Sequence, residues 1–241
     1  MIKKDDRDKE FNIGEMKKYV EKKQELDKFL EKLITPFIEN KRLKILDACC
    51  GIGHIIFSLN RISPGSTFIG VDQTEYYIKE ARKLCLGEKN ISFELGDVYD
   101  LPSKYAKEFD ISLNWKTISW LPYYDRLLKS LVSVTKRHIF LSSLFYDGDI
   151  DFQTKVREFN KEAGKDGFSS FYNVYSLPRF KKFVYSLGAK NIEAYDFEIG
   201  IDVPKPPIDQ MGTYTLRLEN GRRLQISGAV VMFWKVIRID L

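Results

Sequence analysis

Cysteine is scarce in this 241-residue chain: there are three, two of them adjacent as Cys49 and Cys50. Three thiols make a poor disulfide framework, and neighbouring cysteines bridge only through a strained peptide, so a reducing, cytoplasmic setting is expected. Histidine is scarcer, at two, and no C-x-x-C or histidine pair stands near the cysteines, so no metal is expected. No apolar run approaches the length of a bilayer span, since GAVVMFW near the C-terminus is far too short; membrane insertion is not expected. The opening MIKKDDRDKEF carries both signs of charge and lacks the apolar core of a signal peptide. Arginine-rich tracts are missing too. The net charge of +5, from 39 basic and 34 acidic residues, is scattered and fits an anionic small molecule about as well as a nucleic acid. With no repeat, low-complexity segment or long linker, residues 1–241 read as one domain, monomeric or homodimeric.

What is present is an alternation of strand and helix. Residues 15–38 form an amphipathic helix whose apolar face carries Leu26, Phe29, Leu30, Leu33, Ile34 and Phe37, with Pro36 marking a kink or end. KILDAC, TFIGVD (67–72), ISFELGD (91–97), FDISLNW (109–115) and RHIFLSSLF (137–145) read as strands, separated by helices through Ile55–Leu59, Glu75–Leu86 and Pro122–Ser133. The pattern predicts an α/β fold with a parallel sheet covered on both faces. The last third departs from it. Helices are expected around 152–163 and 176–187, a strand at NIEAYDFEI, a hairpin around Asn220-Gly221, and a final strand in AVVMFWKVIRI.

The segment ILDACCGIGH, residues 45–54, runs from a strand into a glycine turn and a helix. Glycines there let a ligand approach the backbone, and the helix start offers free N–H groups. Asp72 ends the next strand 19 residues beyond Gly53, placed for the two ribose hydroxyls of an adenosine. A dinucleotide site wants G-x-G-x-x-G, whereas the frame here is D-x-C-C-G-x-G. Asp47 would repel a pyrophosphate but suits the ammonium of a methionine moiety, which favours S-adenosylmethionine (SAM). Asp97 closes the third strand where an adenine amino group is read, and Asn114 closes the fourth near the place for a sulfonium.

ILDACCGIGH, FIGVDQT, ELGDVYDLP and FDISLNWKTISWL, in this order and spacing, resemble the motifs of class I SAM-dependent methyltransferases over residues 40–145. The resemblance implies a Rossmann-like, seven-stranded, mostly parallel sheet with an antiparallel last strand. It implies SAM contacts from Asp47, Gly51, Gly53, Asp72, Asp97, Val98 and Asn114, with Cys49 and Gln73 beside them. Cys49 departs from the family's usual glycine. The chain then divides into an N-terminal helical segment (1–40), a cofactor-binding core (41–145) and an acceptor side with lid loop and hairpin (146–241). His54 belongs to the turn rather than serving as a general base, and His138 reads as structural.

Acceptor groups belong at the carboxyl ends of the strands. Asp147 is the candidate base and Tyr172 a second catalytic candidate. Trp115, Lys116, Tyr146, Asn173, Tyr175, Tyr214 and Arg217 are the candidate acceptor contacts, with Lys116 and Arg217 suited to a phosphate or carboxylate. The segments YNVYSLPRF, DVPKP, GTYTLRLENGRRLQISG and VVMFW resemble those of methyltransferases from bacterial surface-polysaccharide gene clusters. That implies O-methylation of a small polar, anionic capsule or lipopolysaccharide precursor, on a nucleotide-sugar hydroxyl or a phosphoramidate-type group. An RNA methyltransferase or nucleic-acid-binding protein is the alternative; it lacks support from a basic aromatic surface or an NPPY-type tetrapeptide, NWKT standing there instead. A non-catalytic protein of this fold and a nicotinamide oxidoreductase are more remote.

Overall fold

KILDA, with four of its five residues buried, forms the strand around which the sheet is laid out (β1, Lys44–Ala48). The computed structural model describes residues 14, 17, 18, 20–159, 166–207 and 212–241. After α1 (Glu25–Ile38) and β1 come α2 (His54–Ile62), β2 (Thr67–Asp72), α3 (Glu75–Leu84), β3 (Ile91–Leu95), β4 (Phe109–Asn114), α4 (Asp125–Val134) and β5 (Thr135–Tyr146). The remainder contributes β6 (Lys155–Phe159), β7 (Asp166–Phe171), β8 (Tyr175–Ser176), α5 (Leu177–Ser186), β9 (Asn191–Asp196), β10 (Thr213–Arg217), β11 (Arg223–Ser227), β12 (Val230–Val231) and β13 (Trp234–Asp240).

The main sheet runs β3-β2-β1-β4-β5-β13-β9, with β8 pairing alongside the end of β5. The first five strands are parallel, and β13 lies antiparallel between β5 and β9. The chain winds outward from β1 to β3 and then returns to place β4 on the other side of β1. That reversal opens a crevice at the carboxyl ends of β1 and β4, where ligands of open α/β sheets bind.

Side-chain alternation along the strands supplies two cores, one per face. Ile45, Phe68, Phe93 and Phe140 meet Leu26, Leu30, Ile34 and Ile38 of α1 and Ile55, Ile56 and Leu59 of α2. Leu46, Ile139, Leu141 and Ile237 meet Leu127, Leu128 and Leu131 of α4 and Phe180 and Val184 of α5. Each such fully buried aliphatic contributes about 1.5–3 kcal/mol, so the four α1 anchors alone dock that helix firmly.

Several expectations are corrected. The helix expected around 152–163 is absent from the described part of that range, which holds β6. Thr154 and Val156 are half-buried while Lys155 and Arg157 are exposed, a two-residue period that favours a strand over a charge-rich helix. Residues 160–165 lie outside the described residues. The helix expected to begin at Pro122 begins at Asp125, and the third strand ends at Leu95. The long N-terminal helix is interrupted at 22–24 before α1, and Pro36 sits inside α1 near its end. The hairpin forms as β10 and β11 around Gly221, whose φ of +82° suits the turn. Among the described residues no helix is long and apolar enough to cross a membrane.

Candidate functional site

The turn after β1 is shaped by demands on the backbone at three alternate positions. Cys49, Gly51 and Gly53 all take positive φ, at +65°, +54° and +77°. The N–H groups of Cys49 and Cys50 both donate to the carbonyl of Val71, at 2.8 and 3.1 Å, and Gly53 N–H donates to Cys50 O, at 2.9 Å. A side chain at Gly53 would place its Cβ 2.6 Å from the Phe93 ring, and one at Gly70 would strike the same ring. Phe93 therefore packs into the back of the turn, and glycine is required for it to do so.

Asp72 closes β2 against this turn. One carboxylate oxygen accepts the Gly51 N–H at 3.0 Å, the other the Thr74 N–H at 2.9 Å. Burial raises its pKa, opposed by these backbone donors. Asp47 is 1% exposed, and its Oδ1 has no hydrogen-bond partner among the described residues. Burial, with the charge of Asp72 adding to it, pushes the Asp47 carboxyl up to about 8. Asn114 at the end of β4 donates to Ala48 O at 2.8 Å and leaves its own buried Oδ1 without a partner among the described residues. A buried acceptor is costly to leave unmade, so the pair marks a place that a donor-bearing ligand completes.

The sequence-predicted cofactor residues thus fall into one cluster and a fringe. Asp47, Cys49, Gly51, Gly53, Asp72 and Asn114 meet at the crevice. Asp97 is exposed and accepts the Tyr99 N–H at 2.9 Å, and burial raises the Tyr99 phenol. Val98 is buried in the core, and Gln73 is exposed beyond Asp72. All three cysteines are free. Cys50 packs toward Gly70, and burial raises the Cys49 and Cys50 thiols, so both stay protonated at neutral pH. Among the described residues no group of three or more His, Cys, Asp or Glu is set to hold a metal ion.

Two residues expected on the acceptor side bond to the N-terminal helix and the residue before it. Trp115 Nε1 donates to Asp27 Oδ1 at 2.8 Å, and Lys116 Nζ donates to the same oxygen at 2.6 Å and to Gln24. Asp27 lies on α1 and is itself buried. His54 Nε2 stands 3.7 Å from Asp27 Oδ2, and burial brings the imidazole down to about 4, with Asp27 opposing and Lys116 adding to the shift. This polar knot joins α1, the start of α2 and the loop after β4. Asp27 carries no motif, and sequence reasoning missed it.

Tyr172, Asn173 and Tyr175 are likewise drawn inward. The Tyr172 hydroxyl donates to Met232 Sδ, and burial pushes its pKa up to about 12. Tyr175 donates to Leu121 O at 2.6 Å, and Asn173 donates to the same carbonyl and to the Tyr175 hydroxyl. These side chains brace the loop after β4 from beneath. Tyr214 and Arg217 lie on β10, with Lys205 over the Tyr214 ring and Arg217 exposed.

Tyr146 and Asp147 do reach a cavity, of about 350 Å³, at the carboxyl end of β5. Lys235 of β13 lines it too, only 7% exposed, with Nζ bonded to Asp196 and 3.1 Å from Asp147 Oδ1. Burial works against the ammonium, yet Asp196 and Asp147 outweigh it and hold Lys235 above the usual lysine range. Lys235 sits within an apolar strand and was not singled out from the sequence.

A family model described as a methyltransferase domain matches residues 39–174. An uncharacterized protein of Rickettsia prowazekii (strain Madrid E) is 31% identical over 113 residues, 46% of this chain and 20% of the relative. The chain therefore spans about a fifth of the length of that curated relative. Among solved structures, YcgJ from Bacillus subtilis matches with a TM-score of 0.58 at 12% identity, over 87% of this chain and 96% of that one. Magnesium protoporphyrin IX methyltransferase from Synechocystis PCC 6803, solved with bound SAM, matches at 0.53 and 14%, over 89% and 76%. A SAM-dependent methyltransferase from Mesorhizobium loti matches at 0.56 and 14%, over 88% and 97%. At these identities the likeness is one of fold, the fold of class I SAM-dependent methyltransferases.

Proposed function

Because this chain belongs to the methyltransferase-domain family, we propose that it transfers a methyl group from SAM to an oxygen of a small polar acceptor. The observation that carries the cofactor half is the pair of buried oxygens on Asp47 and Asn114, partnerless among the described residues, beside a turn with three positive φ values. When bound, SAM supplies a methyl group activated by its own sulfonium. Asp47 offers an anion to the ligand's ammonium. Asp72 keeps acceptor capacity on both oxygens for ribose hydroxyls after serving Gly51 and Thr74. Asp97 and Val98 flank the adenine, and the glycines let the ligand lie against the backbone.

On the acceptor side Asp147 would be the base that holds and takes up the proton of the acceptor hydroxyl. Its exposed carboxylate and its place at the cavity support this role. Of the two acceptor chemistries considered, a hydroxyl is favoured over an anionic phosphate-type oxygen, because Lys116 is held by Asp27 and Arg217 stands on the outer strand. The resemblance of the C-terminal segments supports a surface-polysaccharide precursor as the acceptor.

Titration calorimetry with SAM and S-adenosylhomocysteine (SAH) tests the cofactor half, and failure of both to bind at submillimolar concentration refutes it. Asp72→Ala is expected to weaken SAH binding by at least about 1.5–3 kcal/mol, the worth of a hydrogen bond to a charged group.

A further inference from the structure

The 350 Å³ cavity at the end of β5 lies within the size range of small-molecule sites, and its walls come from three directions. β5 and β13 supply the floor, β9 one side, and the hairpin strand β11 the outer wall. Phe197 and Trp234 give it an aromatic surface. Its charge is the informative part. Each lining cation is already matched: Lys235 by Asp147 and Asp196, Arg222 by Glu198 at 2.8 Å, and Arg223 by Asp202 at 2.7 Å. An anion entering here meets a carboxylate beside every cation and is repelled by it. A neutral hydroxyl is not. It donates to Asp147 or Asp196, whose side chains are 75% and 82% exposed, and it accepts the third ammonium hydrogen of Lys235.

We infer that this cavity is the acceptor site and that it takes an uncharged, polyhydroxylated ring, a sugar-like compound. Lys235, Asp147 and Asp196 grip its hydroxyls, and the aromatic surface receives its C–H face. Lys235 is then a binding residue set by its two partners, and the hairpin is the wall that gives the cavity depth. The inference rests on the methyl-transfer reading and puts a neutral sugar-like acceptor in place of the anionic precursor expected from the sequence.

The test uses the full chain loaded with SAH, whose binding is confirmed calorimetrically on the same sample. Saturation-transfer NMR is then recorded with neutral methyl pyranosides and with their uronate and 6-phosphate counterparts, each at about 10 mM, well above a weak Kd of ~1 mM. Saturation of the neutral pyranosides is expected, with a shift of the Trp234 indole proton. Lys235→Met and Asp196→Asn should each lower affinity about tenfold, the loss of one charge-assisted hydrogen bond. Both variants should fold: Lys235→Met leaves two exposed carboxylates, and Asp196→Asn leaves Lys235 its Asp147 partner. Binding confined to the charged counterparts, binding indifferent to both substitutions, or no binding of any pyranoside to SAH-loaded protein overturns the inference. Failure of SAH itself to bind overturns the methyl-transfer reading, and this inference with it.

Discussion

Cys49 occupies a left-handed backbone position that costs a residue with a Cβ about 1–2 kcal/mol, next to two glycines that tolerate it. Its thiol is protonated and lies beside Asn114 and Thr117. Cys49→Gly removes the strain but frees the unfolded chain, and the two effects nearly cancel. Urea denaturation should therefore place this variant within about 1 kcal/mol of the parent. Gly53→Ala should behave differently. It adds a Cβ 2.6 Å from a Phe93 ring carbon at φ +77°, so it should destabilise by about 2 kcal/mol or more and loosen SAH binding in parallel. Equal stability of the two variants would contradict this account of the turn.

Asp47 makes a pH prediction of definite sign. Its folded pKa is raised to about 8 by burial, with Asp72 adding to it, so at neutral pH the free protein carries it mostly protonated. A cationic ammonium prefers the carboxylate, so SAH binding should release close to one proton, and affinity should rise about tenfold per unit from about pH 6.5 toward 8. Without ligand the same shift acts against stability. The unfolded carboxyl ionises near its model value of 3.8, so Asp47's contribution is greatest below that pH and declines as pH rises toward 8. Calorimetry in buffers of different ionisation enthalpy reads the released proton directly. Affinity flat across this range would show that Asp47 does not meet the ammonium.

At the scale of elements, α1 is attached both by its apolar face and by one buried carboxylate. Asp27 holds Lys116 and Trp115, 89 and 88 positions away in sequence. Asp27→Ala leaves Lys116 with less compensation in a largely dry place, and Lys116 keeps 23% of its side chain exposed. The expected loss is about 3 kcal/mol, the low end for breaking a buried pair, measured by urea denaturation. The Asp27→Leu, Lys116→Met double variant should recover part of it, because a matched apolar pair pays no desolvation. Full loss in the double variant would mean that shape rather than charge holds the knot.

Asp27 also shows where reading the sequence stops. The four-residue spacing of Leu26, Leu30 and Ile34 revealed α1 readily, because apolar periodicity is local. The glycine turn and Asp72 were equally legible, since their spacing is fixed by one strand–helix–strand unit. Asp27 looks like any acid on a charged helix, and its partners arrive only when β4 folds beside β1. Tyr172 and Tyr175 show the same gap from the other direction. An aromatic-polar cluster suggested a pocket, but the chain turns those rings inward beneath the loop after β4. Lys235 was hidden because a cation inside VVMFWKVIRI reads as an interruption, and only pairing with β5 and β9 shows which groups it meets.

For the whole molecule, the sheet and its C-terminal addition have separable tasks. β13 is wedged between β5 and β9 and closes the core, so the chain's end is structurally central. The segment between β9 and β13 is not. It leaves the sheet after Asp196, forms the three-stranded sheet β10-β11-β12, and returns at Trp234. Phe197 N–H still bonds Trp234 O at 3.0 Å, so the two strands lie close enough at the exit for a tight turn to join them. Replacing residues 199–232 by an Asn-Gly turn should therefore leave a cooperatively melting protein, at some cost from losing buried Ile199 and Met232. Its SAH affinity should stay within about threefold of the parent, under 1 kcal/mol, because Asp47, Asp72 and Asn114 lie at the other end of the crevice. Acceptor binding should vanish, since the outer wall carrying Arg222, Arg223 and Gln225 goes with the hairpin. Loss of both ligands together in a protein that still melts cooperatively would show instead that the hairpin supports the cofactor turn, and that the two halves of the site are not built independently.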